Sequence, residues 1–271
     1  MAGWAAMFDP AQLPVLAATA DAIETLRPHE DAVDAHLLGD TIAGDPLMTV
    51  KLFAHLAQVM RQRGRDDSRG APETVTGALV LLGIAPFFRA FGPQPVAEQW
   101  LADRPDALAG FEGVLKRSHR AAAFALGFAA HRLDPDAAVI HEAALLHDIA
   151  ELLLWLRAPA LALAIAERQR ADPSLRSAQV QRELLHVELP ALQHALLQAW
   201  RLPTLLVRIT DDRLADDPQV RNVLLAIRVA RHSMNGWDNA ALPDDVRDVA
   251  ALLQLGIEPA KRLLLDIDGT A

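Results

Sequence analysis

Apolar residues recur along most of this chain at intervals of three and four, which is the pattern of amphipathic α-helices. No segment shows the alternation of apolar and polar residues that is typical of a half-buried strand. The residue types that favour helices, Ala, Leu, Arg, Glu and Gln, dominate the sequence, and Tyr is absent. The pattern therefore predicts an all-α, multi-helix fold with almost no sheet.

The approximate ends of the helices are predicted from the positions of Pro, Gly and capping residues. The predicted helices span residues 11–26, 30–43, 46–62, 73–83, 94–103, 110–132, 136–156, 160–171, 177–185, 190–200, 203–211, 218–234, 243–254 and 258–266. Pro and Gly at 102–110 predict a boundary between an N-terminal helical subdomain, residues 1–105, and a helical core with the C-terminal helices, residues 106–271. The polar segment 63–72 is predicted to be a mobile connection.

Composition narrows the class of protein. The 271 residues are 52% hydrophobic, enough for a substantial core in one large domain or two joined small ones. Cys is absent, which excludes disulfides, thiolate zinc sites and a cysteine nucleophile. The first residues lack the pattern of a signal peptide, so a cytoplasmic location is expected. No P-loop, dinucleotide-binding or serine-hydrolase motif occurs in the sequence.

Charge and hydropathy bear on the partners. The formal net charge is −9, and binding to a phosphate backbone relies on clustered Lys and Arg, so we expect no nucleic-acid partner. The apolar stretches are far shorter than the roughly 20 residues that cross a bilayer, so we expect no membrane span. Helical modules without an active site usually work through their surfaces, which is consistent with self-association. Composition leaves the number of subunits open.

One apolar segment contains a pair of polar residues. The stretch "EAALLHDIAEL", residues 142–152, places His147 and Asp148 side by side on the predicted helix 136–156, which is apolar almost all round and therefore predicted to be central. A buried carboxylate is destabilising unless it is paired, hydrogen-bonded or bound to a cation. The partner of Asp148 could be a metal ion, an arginine, a histidine or backbone donors of a neighbouring helix.

Five segments, in the same order, resemble the HDOD domain of the HD superfamily. The central one, "HEAALLHDIAELLLW", is similar to the family's "GLLHDIG" helix. The whole set comprises residues 37–58 with "GDPLMTVKLFAHL", 73–87 with "ETVTGALVLLGIAPF", 115–150 with the helix pair that ends in the HD pair, 141–155 with the central helix, and 183–209 with "AWRLPTLLVRI". The resemblance implies the all-α fold of the HD superfamily over most of the chain.

The resemblance also implies which residues would act. Catalytically active HD proteins are metal-dependent phosphohydrolases or phosphodiesterases, in which a histidine on the preceding helix and a later aspartate complete the site with the HD pair. The HDOD domain is a related regulatory module that often keeps only some of these groups. Here only His147 and Asp148 match, because Arg117 stands at the first histidine's usual place before Ser118, and Arg231 stands where many relatives have aspartate.

The two arginines favour a vestigial site. If the helices pack as in the family, the permanent charges of Arg117 and Arg231 approach the place of a divalent cation and oppose its binding. Either guanidinium group could instead neutralise Asp148 through a bidentate ion pair. We therefore predict that Asp148 is held by Arg117 or Arg231, and we keep open a site that binds an anion through these arginines.

A remodelled metal site is the alternative. It would use His119, His147, Asp148 and Asp212, and this set of imidazole and carboxylate ligands suits Mn, Fe, Zn or Mg. His119 lies two residues after Arg117, about 200° round the helix, so it faces elsewhere unless the register differs. Asp212 belongs to the run 211–213, which replaces the two histidines that often occur there in the family.

Two functions follow from these interpretations. The first is a non-catalytic signalling or scaffold protein without a cofactor, which binds a protein partner or a small regulatory ligand near His147 and Asp148. The second is a metal-dependent phosphohydrolase or phosphodiesterase that acts on a nucleotide or a cyclic dinucleotide, with both residues as ligands and a metal-bound water as the nucleophile. The number of metal ions per chain discriminates between them.

Overall fold

A computed structural model describes residues 2–64, 71–172 and 175–269. The helices are α1 (Ala2–Met7), α2 (Ala17–Leu26), α3 (Ala35–Ile42), α4 (Pro46–Gln62), α5 (Val75–Leu82), α6 (Ile84–Ala90), α7 (Ala97–Trp100), α8 (Pro105–His131), α9 (Ala137–Leu146), α10 (Ile149–Arg157), α11 (Pro159–Ala171), α12 (Ser177–Leu185), α13 (Leu189–Ala199), α14 (Thr204–Ile209), α15 (Pro218–His232), α16 (Leu242–Leu253) and α17 (Ile257–Asp268). In these ranges extended backbone pairs only in an isolated bridge between Val15 and Val96, so the predicted all-α fold is confirmed. Most of the predicted mobile connection, residues 65–70, lies outside the described residues.

The chain divides into two compact units, each discontinuous in sequence. The first comprises Met1–Glu112 and Ile149–Thr204, and the second comprises Gly113–Asp148 and Leu205–Ala271. In the first unit, α5 packs on α3 and α4, and α10 packs on α11 and α13. In the second, α15 packs on α9 and α16, and α16 packs on α17. The predicted domain boundary near residue 105 stays a prediction.

Two helices begin at the proline of an Asp-Pro pair, and the first residue of each was predicted correctly. The side chain of Asp45 accepts hydrogen bonds from the N–H groups of Leu47 and Met48 at the start of α4. The side chain of Asp217 caps α15 in the same way. Proline suits the next position because its fixed φ is helical and the N–H that it lacks would have had no partner within the helix.

The predicted helix at 11–26 begins later than expected. Val15 is extended, since its N–H donates to the carbonyl oxygen of Pro95 and its own carbonyl accepts from the N–H of Ala97. These bonds between distant segments replace the local bonds of a helix, so α2 starts only at Ala17. Helical periodicity cannot reveal such a competition, because the partner lies about eighty residues away.

The region around residues 73–103 also differs in detail from the prediction. Helix α5 ends at Leu82, and α6, which the sequence did not predict, follows directly after Gly83. Gly83 has φ of +89°, a conformation that other residues rarely adopt, so it turns the chain between the two helices. The predicted helix at 94–103 is reduced to the single turn α7.

The segment predicted as one helix at 136–156 is two helices with a turn at His147 and Asp148. The N–H of His147 donates to the carbonyl oxygen of Ala144, three residues back, at 3.4 Å. A bond to the third preceding residue tightens the end of α9 and interrupts the ladder of bonds to the fourth preceding residue. The pair therefore lies at a helix end, where its side chains can reach groups from other segments.

The length and hydropathy of the helices bear on whether one of them could cross a membrane. In the described part of the chain, no single helix is both long and apolar enough to cross a bilayer. Two successive segments, Ala137–Arg157 and Pro159–Ala171, reach the required length and composition only when they are taken together. The cytoplasmic location stays a prediction.

Candidate functional site

Four segments of the second unit carry the polar residues that the sequence singled out. Arg117 lies on α8, His147 and Asp148 lie in the turn after α9, Asp212 begins a 3-10 turn at Asp212–Leu214, and Arg231 lies in the last turn of α15. We call these five residues the HD cluster. Helices α9 and α15 pack against each other, which brings segments that are about eighty residues apart in sequence into one region of the unit.

Arg117 and Asp148 form a short ion pair with little solvent around it. Nε and Nη2 of Arg117 lie 2.7 Å and 2.6 Å from Oδ2 of Asp148. The side chains are only 15% and 8% exposed, so the attraction is weakly screened. The next residue, Ser118, is fully buried, and its hydroxyl group donates to the carbonyl oxygen of Val114. This side of α8 therefore faces the interior.

The ring of His147 lies between two carboxylates. Nδ1 is 3.2 Å from Oδ1 of Asp148, and Nε2 is 3.0 Å from Oδ1 of Asp212. His147 is buried, whereas Asp212 is partly exposed. A protonated imidazole donates from both nitrogens. The geometry therefore suits a histidinium ion with a carboxylate acceptor at each end.

The charges of the HD cluster shift its protonation equilibria. Burial by itself would lower the pKa of His147, but the hydrogen bonds and charges of Asp148 and Asp212 outweigh it and raise the pKa to about 9. Burial by itself would raise the pKa of Asp148, but Arg117, His147 and, more weakly, the exposed Arg231 hold it well below its usual range. At neutral pH, His147 is therefore a cation and Asp148 an anion.

His119 lies in a different setting from the HD pair. Its side chain is exposed and lines a shallow surface pocket together with Arg120, Phe124 and Asp268. Burial lowers the pKa of His141, and electrostatic repulsion from His119 lowers it further. No hydrogen bond in the described part of the chain joins His119 to His147 or Asp148, although other contacts involve it.

The residues present do not fit a divalent metal ion. A metal-binding imidazole must present a deprotonated nitrogen, but both nitrogens of His147 face carboxylates. Asp148 is paired with Arg117, whose charge cannot be removed at physiological pH. Over the described residues, no group of three or more His, Cys, Asp or Glu side chains is arranged to hold a metal ion.

The helical fold and the pair His147-Asp148 together are typical of one broad class of protein. The chain is all helical, with a His-Asp pair at the end of a buried helix, as in the HD superfamily. The family model of the HDOD domain matches residues 13–213, about three quarters of the chain. The chain therefore belongs to the HDOD domain family, and the resemblance of the five sequence segments is confirmed. A search of curated proteins found no significant match.

Solved structures agree on the fold. The MmoQ response regulator from Methylococcus capsulatus str. Bath superposes with a TM-score of 0.66 and 22% sequence identity, over 93% of this chain and 98% of that one. A virulence factor from Campylobacter jejuni subsp. jejuni superposes with a TM-score of 0.60 and 16% identity, over 95% of each chain. Identities this low establish the helical fold and carry nothing about activity.

The second unit contains another buried carboxylate, which the sequence analysis did not predict. Asp245, on α16, is fully buried and accepts from Nη2 of Arg228 at 2.6 Å and from Nδ1 of His232, both on α15. Its partners lie 13 and 17 residues away in sequence, so no short helical spacing marks them. His232 and Arg228 are one helical turn apart, which lets both reach the same carboxylate.

Proposed function

We propose that this chain is a non-catalytic regulatory module of the HDOD family, which acts by binding a protein partner or a small ligand. In this proposal the HD cluster stabilises the fold and performs no hydrolysis. One observation carries it: the guanidinium group of Arg117 bonds the carboxylate of Asp148, at the chain position where catalytic relatives carry a metal-binding histidine.

Electrostatics explain why this ion pair opposes catalysis. Metal-assisted hydrolysis needs at least three protein ligands and an open position for water. Placing a divalent cation at Asp148 would require displacing Arg117 and removing a proton from His147, whose pKa is about 9. Both changes are unfavourable at neutral pH, and the displaced cations would then face the metal at short range. The same charges stabilise the protein when no metal is bound.

The metal content of the protein tests this proposal. Protein purified without chelator or metal-affinity resin is analysed for Mn, Fe, Zn and Mg, alongside the variants His147→Ala and Asp148→Ala. We expect far less than one metal ion per chain in all three. A stoichiometric metal in the wild type that is lost in both variants would contradict the proposal and favour the phosphohydrolase or phosphodiesterase alternative, with a nucleotide or cyclic dinucleotide as substrate.

A gain of binding provides a sharper test. The double variant Arg117→His and Arg231→Asp restores the residue types of the catalytic pattern, and we expect it to bind about one Mn²⁺ per chain. The matched control is Lys116→His and Arg221→Asp, which introduces the same residues on the same helices at exposed positions and should bind none. If both double variants fail to bind Mn²⁺ while remaining folded, the two arginines are not what excludes the metal.

A further inference from the structure

One face of α4, in the first unit, carries a stripe of polar and small residues. Lys51, Ala54, His55, Gln58 and Arg61 follow each other at intervals of three and one residues, so they share one side of the helix. The other sides of α4 consist mainly of buried apolar residues. Alanine in the middle of the stripe leaves space above the helix, and polar side chains border that space.

This space is a pocket of about 310 Å³ within the first unit. Besides α4, its walls come from residues 9–11 in the N-terminal segment, from Ala90, Phe91 and Gln94 at and after the end of α6, and from residues 199–201 at the end of α13. Its volume is at the lower end of the range for small-molecule sites. None of these residues belongs to the HD cluster. We call this site the α4 pocket.

Lys51 is a buried cation whose ammonium group has no carboxylate among its hydrogen-bond acceptors in the described structure. Only 4% of the residue is exposed, and its Nζ donates to the backbone carbonyl oxygens of Leu13 and, at 3.5 Å, of Ala11. Burial lowers its pKa to about 8, and the nearby carboxylates of Asp45 and Asp9 offset only part of this effect. Its hydrogen bonds in the described structure thus go to neutral acceptors, and the ammonium group would gain from an anion.

The formal charge of the α4 pocket is positive, although the whole chain carries −9. Lys51 and Arg61 are cationic, and among the described residues Asp9 is the only carboxylate in the lining. Burial lowers the pKa of His55, so this ring is neutral at pH 7. Lysine and arginine side chains therefore outnumber carboxylates in the lining of a concave site, where the field on an anion is stronger than on an open surface.

The aromatic walls suit a ligand that is both anionic and partly apolar. Trp200 and Phe91 contribute aromatic surface to the walls, and the edge of His55 packs on Phe91 with ring centroids 5.2 Å apart. An organic ring could pack against these side chains while its charged group meets the cations.

We propose that the α4 pocket binds a small organic phosphate, a phosphate monoester attached to a sugar or nucleoside. A phosphate monoester carries about −1.5 to −2 charges at pH 7, so both Lys51 and Arg61 would attract it. Arginine binds phosphate oxygens in a bidentate manner, and buried lysine supplies a compact charge. The proposal goes beyond the regulatory role proposed above and holds whether or not the HD cluster has any activity.

Calorimetric titration of the full chain tests the proposal. The probes are adenosine 5′-monophosphate, glucose 6-phosphate, inorganic phosphate and, as the uncharged comparison, adenosine. We expect saturable binding of at least one ester, weaker binding of inorganic phosphate, and none of adenosine. Absence of saturable binding by both esters would overturn the proposal. Inorganic phosphate that binds as tightly as the better ester would overturn its organic part, since the aromatic walls would then contribute nothing.

Matched variants locate the binding. Arg61→Gln removes a charge from the pocket, and we expect it to weaken ester binding about tenfold, the effect of losing one charged hydrogen bond. Arg63→Gln makes the same change two residues along at an exposed position outside the lining, and should leave the affinity within about twofold. Equal weakening by both would mean unspecific attraction and would overturn the site. Metal content stays as in the wild type, so this test is separate from that of the HD cluster.

Discussion

The HD cluster and the α4 pocket each contain a buried cationic side chain, but the two side chains are compensated differently. His147 has a carboxylate on either side, and its pKa rises to about 9. Lys51 bonds to backbone carbonyl oxygens, and its pKa falls to about 8. Burial disfavours both charged forms, so the neighbouring charges decide the sign of the shift.

This difference distinguishes the proposed structural role of the HD cluster from the proposed binding role of the α4 pocket. In the HD cluster, the buried cations Arg117 and His147 each have a carboxylate partner within the chain, Asp148 for both and also Asp212 for His147. In the α4 pocket, the cations outnumber the carboxylates, and an external anion would complete the balance. The residues of the family motif thus pair with other side chains of the same chain, whereas the α4 pocket is formed by residues that belong to no motif.

The largest expected effect is that of Asp148→Ala on stability. The substitution leaves Arg117 and the protonated His147 without their common acceptor, and breaking a buried ion pair in this way costs about 3 kcal/mol or more. Urea unfolding at pH 7 measures the loss. Asp244→Ala is the control, because Asp244 and its partner Arg247 are both about two-thirds exposed, and such pairs contribute less than about 1 kcal/mol. Similar losses in both variants would show that the HD cluster does not stabilise the fold.

The second expected effect is a loss of stability with rising pH. The pKa of His147 is about 9 in the folded protein and 6.5 without the fold's influence, so the folded state binds the proton more tightly. Its stabilisation is complete below about pH 6.5 and is lost as the pH rises through about 9. The shift corresponds to about 3 kcal/mol. Arg117 and Arg231 stay charged in this window, and Asp148 stays ionised.

Unfolding curves between pH 6.5 and 9 check this prediction. His147→Gln keeps a polar side chain of similar size but cannot titrate, so its free energy of unfolding should depend less on pH than that of the wild type. Parallel curves for the two proteins would show that His147 is not the group responsible. The comparison is clearest below pH 8, because Lys51 contributes in the opposite sense above that value.

Much of the fold could be predicted from the sequence because its causes are local. Helical periodicity and Asp-Pro caps placed α4 and α15 within two residues at both ends. The extended Val15 and the turn at His147 depend on bonds to other segments or on a change of bonding pattern, which periodicity does not report. Helix bounds were therefore least accurate where tertiary contacts compete with local bonds.

The two candidate sites also differ in how far the local sequence predicts them. His147 and Asp148 stand out because they interrupt an apolar run, and Ser118 supplied the register that made Arg117 a candidate. Nothing local indicates that Asp212, sixty-five residues away, reaches the other ring nitrogen of His147. The α4 pocket was not predicted at all, because its walls come from four separate stretches between residues 9 and 201.

A smaller effect is expected from Lys51 at higher pH. Its pKa is lower in the folded protein, about 8, than the usual 10.5, so the unfolded chain binds more protons between these values. This group therefore makes the folded state more stable as the pH rises from about 8 to 10.5, opposite to His147. Lys51→Met should remove that rise, as measured by urea unfolding. A rise that persists in Lys51→Met would assign it to other groups.

The smallest expected effect is on ligand affinity, and it links the two parts of the comparison. Phosphate esters keep their charge above pH 7, whereas Lys51 loses its proton near pH 8, with Asp9, Asp45, His55 and Arg61 as the neighbouring groups. Affinity for adenosine 5′-monophosphate should therefore fall several-fold between pH 7 and 9.5, because one attractive charge is lost. Lys51→Arg keeps its charge over this range, so any binding that this variant retains should be independent of pH. An affinity that falls equally in both proteins would mean that the lost charge is not that of Lys51, and that the pocket does not use its buried cation to hold the phosphate.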